Sequence, residues 1–176
     1  MFKFLILLII SFNLWSQYEI TVLATNIYNY GGFGEWSFSA LYESDDESIL
    51  FDTGFHEDTV LHNAQVLNKD LSKVKKVVLS HYHSDHTGGL IKLRKTFKSI
   101  NNEAFTEVYV ARGFFDQRFT KDGTKVGPGN LEDSSEFRLN AEKEGIKFII
   151  LSDHKMISDN LYATGSVKRD VEYYNG

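Results

Sequence analysis

The sequence predicts one α/β domain of the α+β type, and three patterns in the chain support this prediction. Strand-like runs rich in β-branched and aromatic residues come first. From Asp58 onwards, apolar residues recur at helical spacing. Short apolar runs and helical segments then alternate, with no repeat or linker between them. A chain of 176 residues that is 42% hydrophobic is long enough to bury one core.

The first predicted elements form a meander of strands. Tyr18–Ala24 is rich in β-branched and aromatic residues, and a Gly-rich loop at Asn29–Gly34 follows it. The runs Ser37–Tyr42 and Ser48–Phe51 are separated by the polar segment Glu43–Glu47, which predicts an antiparallel hairpin.

The next segment is predicted to be a helix that begins near Asp58, whose side chain we expect to cap the first turn. Its apolar face consists of Val60, Leu61, Ala64 and Leu67. The apolar run Lys76–Ser80 then fits a strand that is buried on both faces.

The remaining elements alternate between helix and strand. We expect a helix at Leu90–Phe97, a strand at Glu107–Ala111, a loop at Thr120–Asn130, a helix at Ser134–Glu144 that Gly145 ends, and strands at Lys147–Leu151 and Leu161–Thr164.

The N-terminus has the pattern of a secretory signal peptide. Lys3 supplies one positive charge, Phe4–Ile10 is a short apolar run, and a cleavage site near Ser16 or Gln17 follows. The run is shorter than the ~20 apolar residues that span a bilayer. We therefore expect a signal peptide at residues 1–17, a secreted or periplasmic protein, and no stable membrane association after cleavage. The alternative is an uncleaved N-terminal anchor.

Composition limits the partners and the chemistry. The 24 acidic residues outnumber the 19 basic residues, and the resulting charge of -5 disfavours a nucleic-acid partner. Because the chain has no Cys, any metal site must be built from His and carboxylates.

One segment concentrates ligand-type side chains directly after a predicted strand. His81, His83, Asp85 and His86 fall within six positions. Imidazole nitrogens and a carboxylate suit Zn²⁺ at about 2.0–2.2 Å, and the glycines of Thr87–Gly89 allow a close backbone turn. His81 and His83 can face the same side of an extended segment. The alternative is a polar surface loop or a satisfied hydrogen-bond network.

Two segments carry a family resemblance. Val78–Leu90 and Ile49–Gly54 resemble the metallo-β-lactamase superfamily, and within it the group related to the dihydropterin-type phosphate synthases of methanopterin biosynthesis. Leu161–Arg169 is similar to that group's Thr-Gly-Glu-x-x-Arg stretch, with Ser166 in place of Glu. The resemblance runs from about Tyr18 to the end of the chain.

The resemblance implies an αββα sandwich domain at residues 18–176, with much of the second half missing. It implies one or two Zn²⁺ ions, although other divalent metals remain open. The first metal would be held by His81, His83 and a downstream His, and the second by Asp85, His86 and another downstream His. Asp52 would orient the ligand loop through hydrogen bonds. Asp85 would also orient the attacking water, which gives it a catalytic role.

The expected function is a zinc-dependent metallo-hydrolase that activates water at a mono- or binuclear site and acts on an unknown small-molecule substrate. The alternatives are a truncated, inactive metal- or ligand-binding remnant and a dihydropterin-type phosphate synthase. The group's downstream ligands have no counterpart before Gly176, so apolar faces would stay uncovered and favour self-association. Glu35–Ser37 and Ala111–Gly113 also depart from the group's Glu-His-Gly and Ala-His-Pro patterns.

Two further features are weaker candidates. His154 follows a predicted strand, but an isolated His beside Lys is more often solvated than bound to metal. Basic residues on the helix after the motif would attract an anionic substrate or would simply be solvated. They are Lys92, Arg94, Lys95 and Lys98.

Overall fold

The computed structural model describes residues 18–28, 31–129, 131, 133–159 and 161–167. The predicted signal peptide at residues 1–17 lies outside the described residues, as do Asn29 of the Gly-rich loop and Lys168 and Arg169 of the last motif. Within the described ranges, no helix is both long enough and apolar enough to cross a membrane.

The described residues form strands and helices in a mixed order along the chain. The strands are β1 (Glu19–Ala24), β2 (Ser39–Glu43), β3 (Ser48–Phe51), β4 (Val74–Val78), β5 (Glu107–Ala111), β6 (Arg118–Phe119), β7 (Lys125–Val126), β8 (Lys147–Leu151), β9 (Lys155–Ser158) and β10 (Leu161–Ala163). The helices are α1 (Thr59–Val66), α2 (Ser84–Thr87), α3 (Leu90–Phe97) and α4 (Ser134–Lys143).

Six strands form one mixed sheet in the order β1-β2-β3-β4-β5-β8. The pairs β1–β2 and β2–β3 are antiparallel, which confirms the predicted meander and hairpin. The pairs β3–β4, β4–β5 and β5–β8 are parallel. A mixed sheet with helices confirms the α+β class. Because β3, β4 and β5 run in the same direction, the loops that follow them meet at one edge of the sheet.

The helices pack on one face of this sheet and form the main core. That core includes Leu41, Leu50, Val77 and Val108 from the strands, and Val60, Ala64, Leu93 and Phe137 from the helices. Each large side chain that is fully buried here contributes about 1.5–3 kcal/mol relative to exposure. This packing fixes the sheet edge from which the candidate site is built.

The opposite face of the sheet is only partly covered. Ile49 and Tyr109 point to this face and pack against Ile157 of the β9–β10 hairpin. An apolar cavity of about 470 Å³ lies between the hairpin and the sheet. Ile20 is 71% exposed and Phe51 is 39% exposed, so part of this face remains open to solvent.

The first helix differs from the prediction in two details. Asp58 occupies the N-cap position of α1, but its side chain makes no capping hydrogen bond within the described structure. Glu35 instead accepts a hydrogen bond from the hydroxyl of Thr59 in the first turn. Leu67 was expected on the buried face, but α1 ends at Val66 and Leu67 is 39% exposed.

Three other boundaries were also wrong in detail. β4 begins two residues earlier than predicted and ends at Val78, and it is not buried on both faces, because Lys76 pairs with Glu47. The expected loop after Thr120 contains part of the short β6–β7 hairpin. β9 was not predicted at all, since Ile157 is its one buried residue.

Candidate metal centre

The His-rich segment lies at the carboxyl end of β4, beside the loop that follows β3. The backbone N–H of Asp52 donates to the carbonyl of Val78 at 2.9 Å, which continues the parallel pairing past the end of β3. Asp52 therefore faces the start of the His-rich segment.

Three side chains converge at this edge. Among the described residues, His81, Asp85 and His86 each offer a ligand atom, and these atoms lie within 4.8 Å of one another. The Nε2 atom of His86 is 3.5 Å from Oδ2 of Asp85. Ligand atoms about 2.0–2.1 Å from a tetrahedral metal stand roughly 3.3 Å apart, so the 3.5 Å spacing of the Asp85 and His86 atoms fits a divalent ion such as zinc.

His83 lies beside this group without joining it. Its ring centroid is 4.6 Å from that of His81, but the residue is exposed and falls outside the 4.8 Å group among the described residues. The structure therefore combines one of the two His expected at the first metal with both ligands expected at the second.

Asp52 organises the two converging imidazoles. It is fully buried and accepts hydrogen bonds from the backbone N–H of Ser80 at 2.7 Å, from the Ser80 hydroxyl at 2.7 Å and from Nδ1 of His86 at 2.7 Å. Because the Ser80 hydroxyl gives its proton to Asp52, its 3.0 Å contact with Nδ1 of His81 is one in which it accepts. Both imidazoles thus carry a proton on Nδ1, and each presents its Nε2 lone pair to a metal when the ring is neutral.

The two imidazoles have opposite pKa shifts. Burial, followed by the nearby His86 and His83, lowers the pKa of His81, which is therefore neutral at pH 7 and able to bind a metal. The hydrogen bond to Asp52 raises the pKa of His86, although burial opposes this. A metal must displace a proton from His86 whenever that residue is charged, so metal affinity should rise with pH.

The turn after the motif approaches the loop after β3 more closely than a side chain would allow. A Cβ atom at Gly88 would lie 1.8 Å from the carbonyl oxygen of Phe55. The N–H of Gly88 donates to the carbonyl of Gly54 at 2.9 Å, and the N–H of Thr53 donates to the carbonyl of His86 at 2.8 Å. The segment with the ligands and the segment with Asp52 are therefore held as one unit.

A third segment, which runs from the end of β5 to the start of α4, also contacts the motif. The guanidinium of Arg118 lies 3.9 Å from the ring centroid of Tyr82. The N–H of Gly129 donates to the hydroxyl of Thr87 at 2.7 Å, and that hydroxyl donates to the carbonyl of His83. These contacts fix the outer side of the motif.

The weaker candidates lie elsewhere or serve the fold. His154 is exposed and is not part of the converging group among the described residues. Arg94 is 2% exposed and donates to the carbonyls of Glu144, Asn102 and Ala104. Arg94 therefore joins α3 to the loops that carry these carbonyls, and its buried guanidinium is not part of a solvated basic face.

Sequence reasoning missed the role of Glu35, whose carboxylate accepts hydrogen bonds from the N–H groups of Phe55 and His56 and from the hydroxyls of Ser37 and Thr59. A lone carboxylate in a Gly-rich loop has no periodic signal. The one available signal was that the resembling group has Glu at this place.

The fold and the converging donors define a class of protein: an α+β domain with a candidate site for a divalent metal. Residues 37–100, which contain Asp52 and the His-rich segment, match the family model of the metallo-beta-lactamase superfamily. The Asp52 loop and the His-rich segment thus lie in a region that is similar to this superfamily.

Two relatives show how far the similarity extends. The 7,8-dihydropterin-6-methyl-4-(beta-D-ribofuranosyl)-aminobenzene-5'-phosphate synthase of Methanocaldococcus jannaschii is 28% identical over 127 residues, which is 72% of this chain and 40% of that protein. A solved metal-dependent hydrolase of the beta-lactamase superfamily is 27% identical with a TM-score of 0.57, over 81% of this chain and 46% of that one. The chain therefore spans less than half the length of these relatives.

Proposed function

We propose that this chain supplies the metal-holding part of a zinc-dependent hydrolase, with His81, Asp85 and His86 as ligands and His83 as a further ligand to the first of two metals. The observation that supports this most strongly is the convergence of three donor side chains within 4.8 Å at the carboxyl edge of the sheet. The similarity to a solved metal-dependent hydrolase supports the same reaction class.

A divalent metal bound there would act as a Lewis acid and lower the pKa of a water molecule. The residues of the chain have separate tasks around it. His81 and His86 would bind through Nε2, and Asp52 keeps the Nδ1 proton of both rings in place, directly for His86 and through Ser80 for His81. If Asp85 binds through one carboxylate oxygen, its second oxygen can accept a hydrogen bond from water and orient it.

The substrate is proposed only as a small molecule. A lactone, a thioester, a phosphodiester and a phosphate-bearing pterin are all compatible with a water-activating metal, because the site residues define the nucleophile and not the leaving group.

A second candidate is group transfer by a dihydropterin-type phosphate synthase, which the 28% identity to the Methanocaldococcus jannaschii enzyme favours. Product analysis with a dihydropterin and a phosphoribosyl donor separates the two reactions. A condensed product would favour the synthase, whereas water-dependent cleavage would favour the hydrolase.

A third candidate is a remnant that binds metal or ligand without catalysis. The chain covers 40% and 46% of the two relatives, so a relative's metal ligands can lie in a part that the match does not cover. This candidate would be favoured if the 176-residue chain shows no turnover and extension with a homologous second half restores it.

The proposed function is tested by zinc binding and turnover measured together. Zinc affinity is measured by competition with a chelator, and turnover against ester, lactone and phosphodiester substrates. His86→Ala should weaken zinc binding, and His154→Ala is the matched control because His154 is an exposed His outside the converging group. Equal affinity in both variants would refute the metal site.

Two further proposals concern the whole chain. We propose that residues 1–17 are removed on export to a secreted or periplasmic location, which intact-mass analysis of the exported protein would test. We also propose self-association through the partly uncovered face of the sheet, where Ile20 and Phe51 are exposed.

A further inference from the structure

The carboxylate of Glu35 accepts four hydrogen bonds. One donor lies in its own loop, and three lie in a segment 20 to 24 residues later in the sequence. Its Oε1 atom accepts from the N–H of Phe55 at 2.7 Å and from the hydroxyl of Ser37 at 2.6 Å. Its Oε2 atom accepts from the N–H of His56 at 3.1 Å and from the hydroxyl of Thr59 at 2.8 Å. Burial raises the pKa of Glu35, but the hydrogen bonds together hold it below its ordinary value, so the group is ionised at neutral pH.

The segment that Glu35 holds is the turn between β3 and α1. Gly54 in this turn has a φ of +74°, and a Cβ atom there would lie 2.8 Å from Oε1 of Glu35. The side chain of Glu35 therefore occupies the space beside Gly54. A carboxylate that accepts from two successive backbone N–H groups fixes the path of the chain as well as its charge.

The same turn is bonded on its other side to the metal-ligand segment. The N–H of Gly88 donates to the carbonyl of Gly54 at 2.9 Å, and the N–H of Gly89 donates to the carbonyl of Thr53 at 3.2 Å. The carbonyl of Phe55, whose own N–H is held by Glu35, lies where a Cβ of Gly88 would be. Glu35 and the ligand segment are thus separated by one turn with hydrogen bonds on both sides.

We propose that Glu35 is a positioning residue for the metal centre, which acts by holding the turn after β3 against the segment that carries His81, Asp85 and His86. The inference deepens the proposed function and depends on it. The hydrogen bonds of Glu35 go to Ser37, Phe55, His56 and Thr59 and not to the three ligands, so its effect must pass through the turn that contains Gly54 and Phe55.

The competing explanation is that Glu35 only stabilises the start of α1. Asp58 at the N-cap position gives no capping bond, and the bond from Thr59 to Glu35 is made in its place. A purely structural role predicts a lower free energy of unfolding and an unchanged zinc affinity in the folded protein. A positioning role predicts that zinc affinity falls as well.

The test is Glu35→Gln in the full chain, with zinc affinity measured by chelator competition well below the unfolding temperature. A Gln side chain keeps one acceptor oxygen and places an amide N–H₂ against two of the donors. Supports of metal ligands typically contribute about 10- to 100-fold in affinity, and we expect a loss of about 10-fold. In the metal-free protein, hydrogen exchange of the Gly88 and Gly89 amides should become faster.

Two control variants separate positioning from charge and from stability. Asp58→Asn removes the same charge from the turn that Glu35 holds, but Asp58 makes no capping bond there and pairs with Lys92 at 3.5 Å. Asp133→Ala removes the side-chain cap from α4, where Asp133 accepts from the N–H of Ser135. Both controls should keep wild-type zinc affinity, and Asp133→Ala should lower stability.

The outcomes are distinguishable. If the wild-type chain does not bind zinc, both the proposed function and the role of Glu35 are overturned. If the wild type binds zinc and Glu35→Gln binds it equally well, only the role of Glu35 is overturned. Should Glu35→Gln fail to fold, Thr59→Ala removes one donor and decides the matter. In Thr59→Ala, a loss of zinc affinity smaller than about 10-fold together with faster hydrogen exchange of the Gly88 amide supports the proposal, whereas wild-type zinc affinity and exchange rate overturn it.

Discussion

Replacing Asp52 by Asn should weaken both the fold and the metal centre. Asp52 has a φ of +53°, a left-handed conformation that Asn tolerates better than most residues. The substitution therefore leaves the backbone unstrained and changes only the side chain. Asn keeps one acceptor oxygen and places an amide N–H₂ where three donors now converge.

The size of the effect follows from these contacts. A hydrogen bond to a charged group is worth about 1.5–3 kcal/mol, and the buried donor left without an acceptor adds to the loss. We therefore expect the free energy of unfolding to fall by at least about 1.5–3 kcal/mol. Because the carboxylate fixes the tautomers of His81 and His86, zinc affinity should fall by about 10- to 100-fold.

The assays are urea unfolding of the metal-free protein and zinc competition with a chelator. Ser80→Ala serves as an intermediate variant, because it removes one of the three donors and leaves the carboxylate in place. Asp46→Asn, at an exposed position in the turn between β2 and β3, controls for the lost charge. Wild-type stability and affinity in Asp52→Asn would show that the three hydrogen bonds do not organise the site.

Three further predictions concern charge, pH and the open face. Asp85→Asn should weaken the second metal position more than the first in a zinc titration, and equal loss at both would contradict the assignment. Because the pKa of His86 is raised in the folded protein, protonation of His86 stabilises the metal-free fold. This stabilisation is fully present below the pKa of His in the unfolded chain, about 6.5, and should be lost as the pH rises through the pKa of His86 in the folded protein. Urea unfolding at several pH values would show this, and Asp52→Asn should remove the dependence. Phe51→Lys should reduce self-association in sedimentation experiments, because Phe51 is exposed on the open face of the sheet. Ile100→Lys should have a smaller effect, because Ile100 is exposed but lies after α3 and outside the sheet. Equal effects of the two substitutions would argue against association through the sheet face.

Local composition was enough to predict two strands. The strands at Glu107–Ala111 and Lys147–Leu151 have the predicted bounds, because each contains four consecutive apolar residues, most of them β-branched or aromatic types that favour strands. The spacing predicted that His81, His83, Asp85 and His86 converge where a strand end meets the first turn of a helix. Three of them do so among the described residues, whereas His83 is exposed and lies outside the group.

The features that were missed depend on contacts between distant segments. Glu35 acts on residues about 20 positions later in the chain, which no local pattern reveals. Arg94 was grouped with the solvated basic residues, yet it lies four positions after the buried Leu90 and therefore on the same face of α3. Helical spacing should have indicated its burial, whereas its carbonyl partners come from tertiary structure.

The most direct test is zinc X-ray absorption spectroscopy on the loaded protein, with His86→Ala and His154→Ala compared under the same conditions. We expect imidazole nitrogens at about 2.0–2.1 Å from zinc in the wild type. His86→Ala should lose part of the imidazole signal, and His154→Ala should keep all of it. A zinc ion without imidazole ligands, or a signal that both variants leave unchanged, would contradict the assignment of His81, Asp85 and His86 as the metal centre.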